Sequence, residues 1–203
     1  QRLGLRTSAA AADWPAVRDR VFNRIDSIAA NGLAYRESLE NVTVYRHSAR
    51  FINDRTVDLG GEAVTADRIV LAIGARPSIP AIPGITTVPY RTSDDVMRLD
   101  TLPQHLVVLG GGFIAVEMAH IFDGLGSRVT IVHRGDQLLR GTDDDIRRRL
   151  TATYTERMDV QLNTSIERAE FLNGAHRLIF SDGSTIEGDQ LLVATGRIPN
   201  ADL

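Results

Sequence analysis

Residues 106–119 read LVVLGGGFIAVEMA, and neither a helix nor a sheet alone accommodates them. The run Leu106-Val107-Val108-Leu109 is apolar and too short for a buried helix, so it reads as a buried strand. Three glycines follow, and from Phe113 the pattern turns helical. Strand, tight turn and helix start are the context in which Gly-x-Gly-x-x-Gly/Ala has a mechanism. Gly110 makes the turn, Gly112 lets the backbone approach a pyrophosphate, and Ala115 lets the helix pack close to the strand. The helix N-terminus adds unpaired N–H groups and about half a positive charge facing such an anion. A plain strand-to-helix turn also uses glycine, so the flanks decide.

Taken in order, those flanks are consistent. Asp13-Trp14-Pro15 opens a helix, with Asp13 as the N-cap or a nearby acid and proline in the first turn. Val17, Val21, Ile25, Ile28 and Leu33 recur at helical spacing and carry it to about Leu39, with Trp14 and Phe22 as packing residues. Strands are expected at 42–46, 49–52, 55–59, 62–66 and 67–74, joined by tight turns at Asn53-Asp54 and Gly60-Gly61. The segment ARPSIPAIPG cannot be a helix or an inner strand and reads as a stiff linker, with a domain boundary between about Ala75 and Val88. Residues 92–95 cap a short helix, where Asp94 and Asp95 complement the dipole rather than bind metal. The glycine-led helix ends at Gly124 or Gly126, and SRVTIVH (127–133) completes a strand–helix–strand unit. Thr142 with Asp143, Asp144 and Asp145 caps the next helix, whose Arg147-Arg148-Arg149 run is a solvated face. Strands at 159–163, 165–172, 176–181 and 184–188 form an antiparallel meander with turns at Asn173-Gly174 and Asp182-Gly183. QLLVATG (190–196) is the last parallel strand.

The totals narrow the chemistry. The 203 residues are 43% hydrophobic and 24% charged with net charge −3, so no basic excess exists to drive binding to nucleic acid or an anionic membrane. No apolar run approaches a membrane span and no signal peptide is evident, so a cytoplasmic location is expected. The absence of cysteine excludes disulfides, cysteine-ligated metal and thiol chemistry within these residues. Gln1 and the closing ATGRIPNADL both read as cut ends of a longer polypeptide.

Which dinucleotide is expected follows from the end of the second strand. NAD-binding versions place a carboxylate there for the ribose hydroxyl. Here stand Val132, His133 and Arg134, with Arg140 six residues on across a short loop. Two guanidinium forks converging on one phosphate would select the 2′-phosphate, so the residues read as an NADP site. His133 either stacks near the ribose or closes the strand.

With these pieces placed, the series AIG, proline segment, GGGFIAVE, HRGDQLLR, meander, ATGRIPN resembles the pyridine nucleotide-disulphide oxidoreductases with two dinucleotide domains, in their glutathione-reductase branch. The resemblance covers essentially the whole chain. It implies an α/β fold: a Rossmann-like NADP-binding domain with a parallel sheet and an antiparallel β-meander, plus a partial FAD-domain segment. Residues 1–88 would be the central portion of the FAD-binding domain, 89–195 the NADPH-binding domain, and 196–203 the return to the FAD domain.

By the same resemblance Gly110, Gly111, Gly112, Ile114 and Ala115 would hold the NADPH pyrophosphate. Arg134 and Arg140 would bind the 2′-phosphate, and Gly196 would lie on the nicotinamide side. Phe113 stands where the branch has a tyrosine gate over the flavin, and loses that hydroxyl. Glu117, one turn later, corresponds to a glutamate near the nicotinamide; an ordinary helix-edge carboxylate is the alternative. Ala49 would make a backbone contact to the flavin adenine. Ile73-Gly74 matches a Thr-Gly step by the flavin, with isoleucine a departure.

Full-length members also carry a second glycine fingerprint for FAD, a Cys-x4-Cys pair and a dimer-interface domain with a His-Glu dyad. The resemblance therefore implies FAD, a small-molecule disulfide substrate and a homodimer for the intact parent. The fragment itself would bind NADPH without reducing disulfides. Dihydrolipoamide dehydrogenase or mercuric reductase is the alternative within the family, and the first would favour an acid where His133-Arg134 stands. A stand-alone nucleotide-binding module is the alternative from another class.

Overall fold

A computed structural model describes residues 12–201. The chain forms two compact units: the chain up to Arg18 with Pro77–Arg197, and Asp19–Arg76 with the segment from Ile198. Helix α1 (Trp14–Glu37) begins in the first unit and continues in the second. Asp13 caps it: the Ala16 N–H donates to Asp13 Oδ1 at 3.0 Å.

In the unit of Asp19–Arg76, β1 (Arg50–Asn53), β2 (Thr56–Asp58) and β3 (Ala63–Thr65) form an antiparallel sheet in the order β1-β2-β3. Asn53 closes the first turn by accepting from the Arg55 N–H at 3.0 Å. Gly60 and Gly61 close the second in the left-handed region, φ 81° and 102°. Two expected strands do not form. Residues 42–46 and 67–74 carry no ladder, and Val70 and Leu71 are 87% and 59% exposed. Extended apolar sequence becomes sheet only where a neighbouring strand takes its hydrogen bonds, and among the described residues neither segment has one. The linker contributes a short strand instead, β4 (Ala75–Pro77), at the edge position that proline tolerates.

The unit of Pro77–Arg197 is built on β5 (His105–Leu109), α2 (Phe113–Leu125), β6 (Arg128–Val132), α3 (Asp144–Arg157) and β7 (Asp159–Gln161). The meander follows as β8 (Ile166–Leu172), β9 (Ala175–Phe180) and β10 (Thr185–Gly188), then β11 (Gln190–Val193) and β12 (Arg197–Pro199), the last pairing with β4. β11-β5-β6-β7 form a parallel sheet, and β10-β9-β8 an antiparallel one. The Asn173-Gly174 turn has both residues at positive φ, 54° and 81°, as a tight hairpin of this twist requires.

Alternation along the parallel strands makes two cores. Leu106, Val108, Ile131 and Leu192 join Ala115, Val116, Ala119 and Phe122 of α2 on one face. Val107, Leu109, Val132, Leu191 and Val193 face Ala169, Leu178 and Phe180 of the meander on the other. α2 ends at Gly126 in the left-handed region, φ 106°. The cap of α3 is Asp143 rather than Thr142, its carboxylate accepting from the Asp145 and Ile146 N–H groups. The short helix after residue 92 is a single 3-10 turn, Val96–Arg98. The proline segment lies along β8. Ala169 donates its N–H to Pro83 O at 2.8 Å, and Gly84 (φ 82°) passes so close that a Cβ would overlap Ala169 O.

Trp14 is the anchor at the helix side. It is 2% exposed, packs against Phe122 with tilted rings whose centroids are 5.5 Å apart, and donates its indole N–H to Leu99 O at 2.7 Å. Trp14→Ala is expected to cost roughly 3–5 kcal/mol in urea unfolding followed by circular dichroism, since it opens a cavity and removes that donor.

Candidate functional site

At the carboxyl ends of β5, β6 and β11 the Pro77–Arg197 unit opens a cavity of about 930 Å³, large enough for a cofactor-sized ligand. In open parallel sheets that edge is where ligands bind, because strand ends there feed loops that diverge to either face. Gly110, Gly111, Gly112, Phe113, Ile114, His133, Arg134, Arg140 and Gly196 all line it, residues drawn from three strand ends.

The three glycines differ in what they do. Gly110 sits at φ 131°, and a Cβ on it would collide with the main chain of Ala194, whose carbonyl carbon would lie 2.7 Å away. Its N–H donates to Val132 O at 3.0 Å, and the Ala194 N–H donates to Leu109 O at 2.8 Å, so three strand ends meet there. A Cβ on Gly111 would lie 2.5 Å from His133 Cγ. Gly112 is the N-cap of α2 and has nothing within 4 Å on its Cβ side. That side of its backbone is open.

His133 fills the space between Gly111 and Gly135, where a Cβ would come within 2.7 Å of Nε2. Burial and the neighbouring Arg134 guanidinium push its pKa down, with a backbone hydrogen bond at Gln137 and the Asp136 carboxylate acting the other way. The neutral ring ties the strand end to the loop after it. Arg134 and Arg140 are exposed, line the same cavity, and make no hydrogen bond or ion pair among the described residues. By contrast Arg147 and Arg148 are paired to Asp144 and Asp145 along α3; Arg148 and Arg149 are on the solvated face expected, whereas Arg147 is partly buried.

Phe113 lines the rim at 65% exposure. Two expected residues stay outside the lining: Ala115 is buried in the helix-side core, where it permits the close packing, and Glu117 is exposed on α2. Ala49, Ile73 and Gly74 belong to the other compact unit. There the Asn200 Nδ2 and N–H donate to Ile73 O and Gly74 O at 3.0 and 3.1 Å.

Sequence reading missed much of the cavity wall. Ser78, Pro80, Thr164, Ser165, Thr195 and Arg197 also line it. Thr195 and Arg197 follow the carboxyl end of a parallel strand, which is a usable signal. Ser78 and Thr164 are delivered by tertiary packing and had none. Arg197 is pinned by Asp94 and Ser93 Oγ, each at 3.2 Å.

Parallel strands whose carboxyl ends open onto a glycine-lined crevice define an α/β protein of the Rossmann type. Residues 4–203 match the model of the pyridine nucleotide-disulphide oxidoreductase family, and the chain belongs to that family. It is 43% identical over 196 residues to mycothione reductase of Mycobacterium tuberculosis, covering 94% of this chain and 43% of that protein. Against glutathione reductase of Burkholderia cepacia it is 34% identical over 203 residues, 97% of this chain and 43% of that one. The HOCl-induced flavoprotein disulfide reductase RclA from Escherichia coli superposes with TM-score 0.87 at 29% identity, over 95% of this chain and 45% of that chain. The chain thus spans less than half the length of these relatives. Among the described residues no helix is long and apolar enough to cross a membrane.

Two outcomes follow for stability. Gly110→Ala is expected to lower the thermal midpoint sharply, because positive φ and the Ala194 backbone both oppose a Cβ, whereas Gly112→Ala leaves it near wild type. The lowered pKa of His133 means the unfolded chain binds more protons just below about pH 6.5, so stability falls as pH drops through that range. His105 and His176, lowered mainly by burial, add slope of the same sign, so His133→Asn is expected to reduce the slope without abolishing it in denaturant titrations at a series of pH values.

Proposed function

We propose that this chain carries the NADPH-binding core of a flavin-dependent disulfide reductase resembling mycothione reductase. The observation that carries the reading is one cavity holding both a glycine-led helix N-terminus and two guanidinium groups that have no partner among the described residues. The strand order β11-β5-β6-β7 orients the ligand. Its pyrophosphate lies over Gly110, Gly111 and Gly112 at the end of β5, with Ile114 beside it. The adenosine 2′-phosphate lies beyond β6 at Arg134 and Arg140, with His133 beneath, and the nicotinamide half lies beyond β11 toward Gly196. The open side of Gly112 and the unpaired N–H groups of α2 fit a diphosphate. Two charge-assisted contacts to the extra phosphate contribute ~3 kcal/mol, on the order of a hundredfold in affinity.

In the intact parent, NADPH supplies a hydride to a flavin. In this reading the exposed Phe113 ring covers or uncovers the nicotinamide position, and Glu117 lies one turn away on α2. We assign residues 1–88 to a FAD-binding domain, with Ala49, Ile73 and Gly74 as flavin contacts, 89–195 to the NADPH-binding domain, and 196–203 to the return segment. The chain has no cysteine. The redox thiols that would reduce a small-molecule disulfide, of which mycothiol disulfide is the first to test, must come from elsewhere in the parent, and residues 1–203 alone are inactive toward it. A cytoplasmic homodimer is the state that this reading assigns to the parent.

Titration with oxidised nucleotides tests the cofactor assignment without electron transfer. NADP+ is expected to bind on the order of a hundredfold more tightly than NAD+, with Arg134→Ala and Arg140→Ala each losing about tenfold for NADP+ alone. Equal affinity for the two nucleotides in the unaltered protein removes the assignment.

A further inference from the structure

Arg140 occupies a turn that the chain holds in an unfavourable backbone conformation. The Thr142 N–H donates to Leu139 O at 3.2 Å, closing a tight turn with Arg140 and Gly141 at its corners. Gly141 is at φ 90°, which glycine adopts freely, but Leu139 is at φ 57°. A branched aliphatic residue rarely enters the left-handed region and persists there only when its surroundings fix it.

Three contacts do the fixing. The Leu139 N–H donates to Gly111 O at 2.7 Å, which ties the turn to the middle of the glycine loop. The preceding Leu138 is 0% exposed, and its N–H donates to Thr151 Oγ1 at 3.1 Å from within α3. Leu139 itself packs against the helix-side core. Neither Leu139 nor Thr151 lines the cavity, while Arg140 and Gly111 do.

We propose that Leu139 and Thr151 are positioning residues for cofactor choice. They lock the Arg140 turn onto the glycine loop, so selectivity for a 2′-phosphorylated dinucleotide depends on two side chains that touch no ligand. The inference deepens the NADP reading above and rests on it. Strain at Leu139 is balanced by the Gly111 bond, so the main chain that carries Arg140 does not have to be ordered when the phosphate arrives. That pre-organisation adds affinity only for a ligand that carries the phosphate.

The test titrates NADP+, NAD+ and 2′,5′-ADP into the full-length protein and its variants, with thermal unfolding alongside. Thr151→Val removes the hydroxyl at nearly constant volume, and Thr151→Ser keeps it. Leu139→Ile puts a β-branched residue where φ is positive, and Leu139→Asn keeps that backbone accessible. Thr151→Val and Leu139→Ile are expected to weaken NADP+ and 2′,5′-ADP about fivefold to tenfold while NAD+ stays within about twofold. Thr151→Ser and Leu139→Asn are expected to retain most of the preference. Equal weakening for both dinucleotides, or an unchanged NADP+ to NAD+ ratio in folded Thr151→Val and Leu139→Ile, overturns the proposal. Arg140→Ala separates the two claims. If it lowers the ratio and the positioning variants do not, only the positioning role falls; if the unaltered protein shows no preference, both readings fall.

Discussion

The carboxyl end of β5 turns on Gly110 directly against the main chain of Ala194, and the cavity wall follows from that contact. Parallel pairing of β11 with β5 in register brings Val193 beside Leu109, so both strands end at the same level. Any side chain at the turn would force those ends apart. Because they stay together, the glycine loop, the start of α2 and the residues after β11 share one rim. A local fact about φ at one residue thus sets the mouth of the crevice.

The same economy links the two anion-facing regions. Leu139 reaches back to the carbonyl of Gly111, and the His133 ring fills the gap between Gly111 and Gly135. The loop after β6 and the loop after β5 therefore behave as a single rigid cradle rather than two independent turns. Strain in one is held by a hydrogen bond to the other, so neither can relax without moving its partner. The positive charge of Arg134 beside His133 favours the neutral imidazole, which suits a ring packed against main chain.

How much of this was legible in the sequence depends on the range of the cause. The β5–α2–β6 unit and the hairpins at Asn173-Gly174 and Asp182-Gly183 are fixed by residues a few positions apart and are legible; for the caps, the sequence narrows the end of α2 to Gly124 or Gly126 and marks Asp13 as a cap or a nearby acid, and the structure selects Gly126 and the cap. The segments at 42–46 and 67–74 have strand composition but no ladder, because pairing depends on a neighbour that composition does not encode. Leucine is no signal for positive φ, so the backbone at Leu139 is not legible in the sequence; the Gly111 carbonyl, the core and the hydroxyl of Thr151 impose it. The arginines at 134 and 140 were found by their spacing. The wall opposite them, with Ser78 and Thr164, came from segments that packing alone brings near.

The proline segment lying along β8 has a consequence for solubility. β8 is the outer strand of the meander, and such a margin is a ready template for another chain's backbone. Here one amide, that of Ala169, is taken up by Pro83, and the crowding at Gly84 leaves no room for a fresh strand to slide in. Proline has no N–H to offer the next chain, so Pro77, Pro80 and Pro83 cannot donate to one. What looks like a connector between units also serves as a guard against intermolecular cross-β growth.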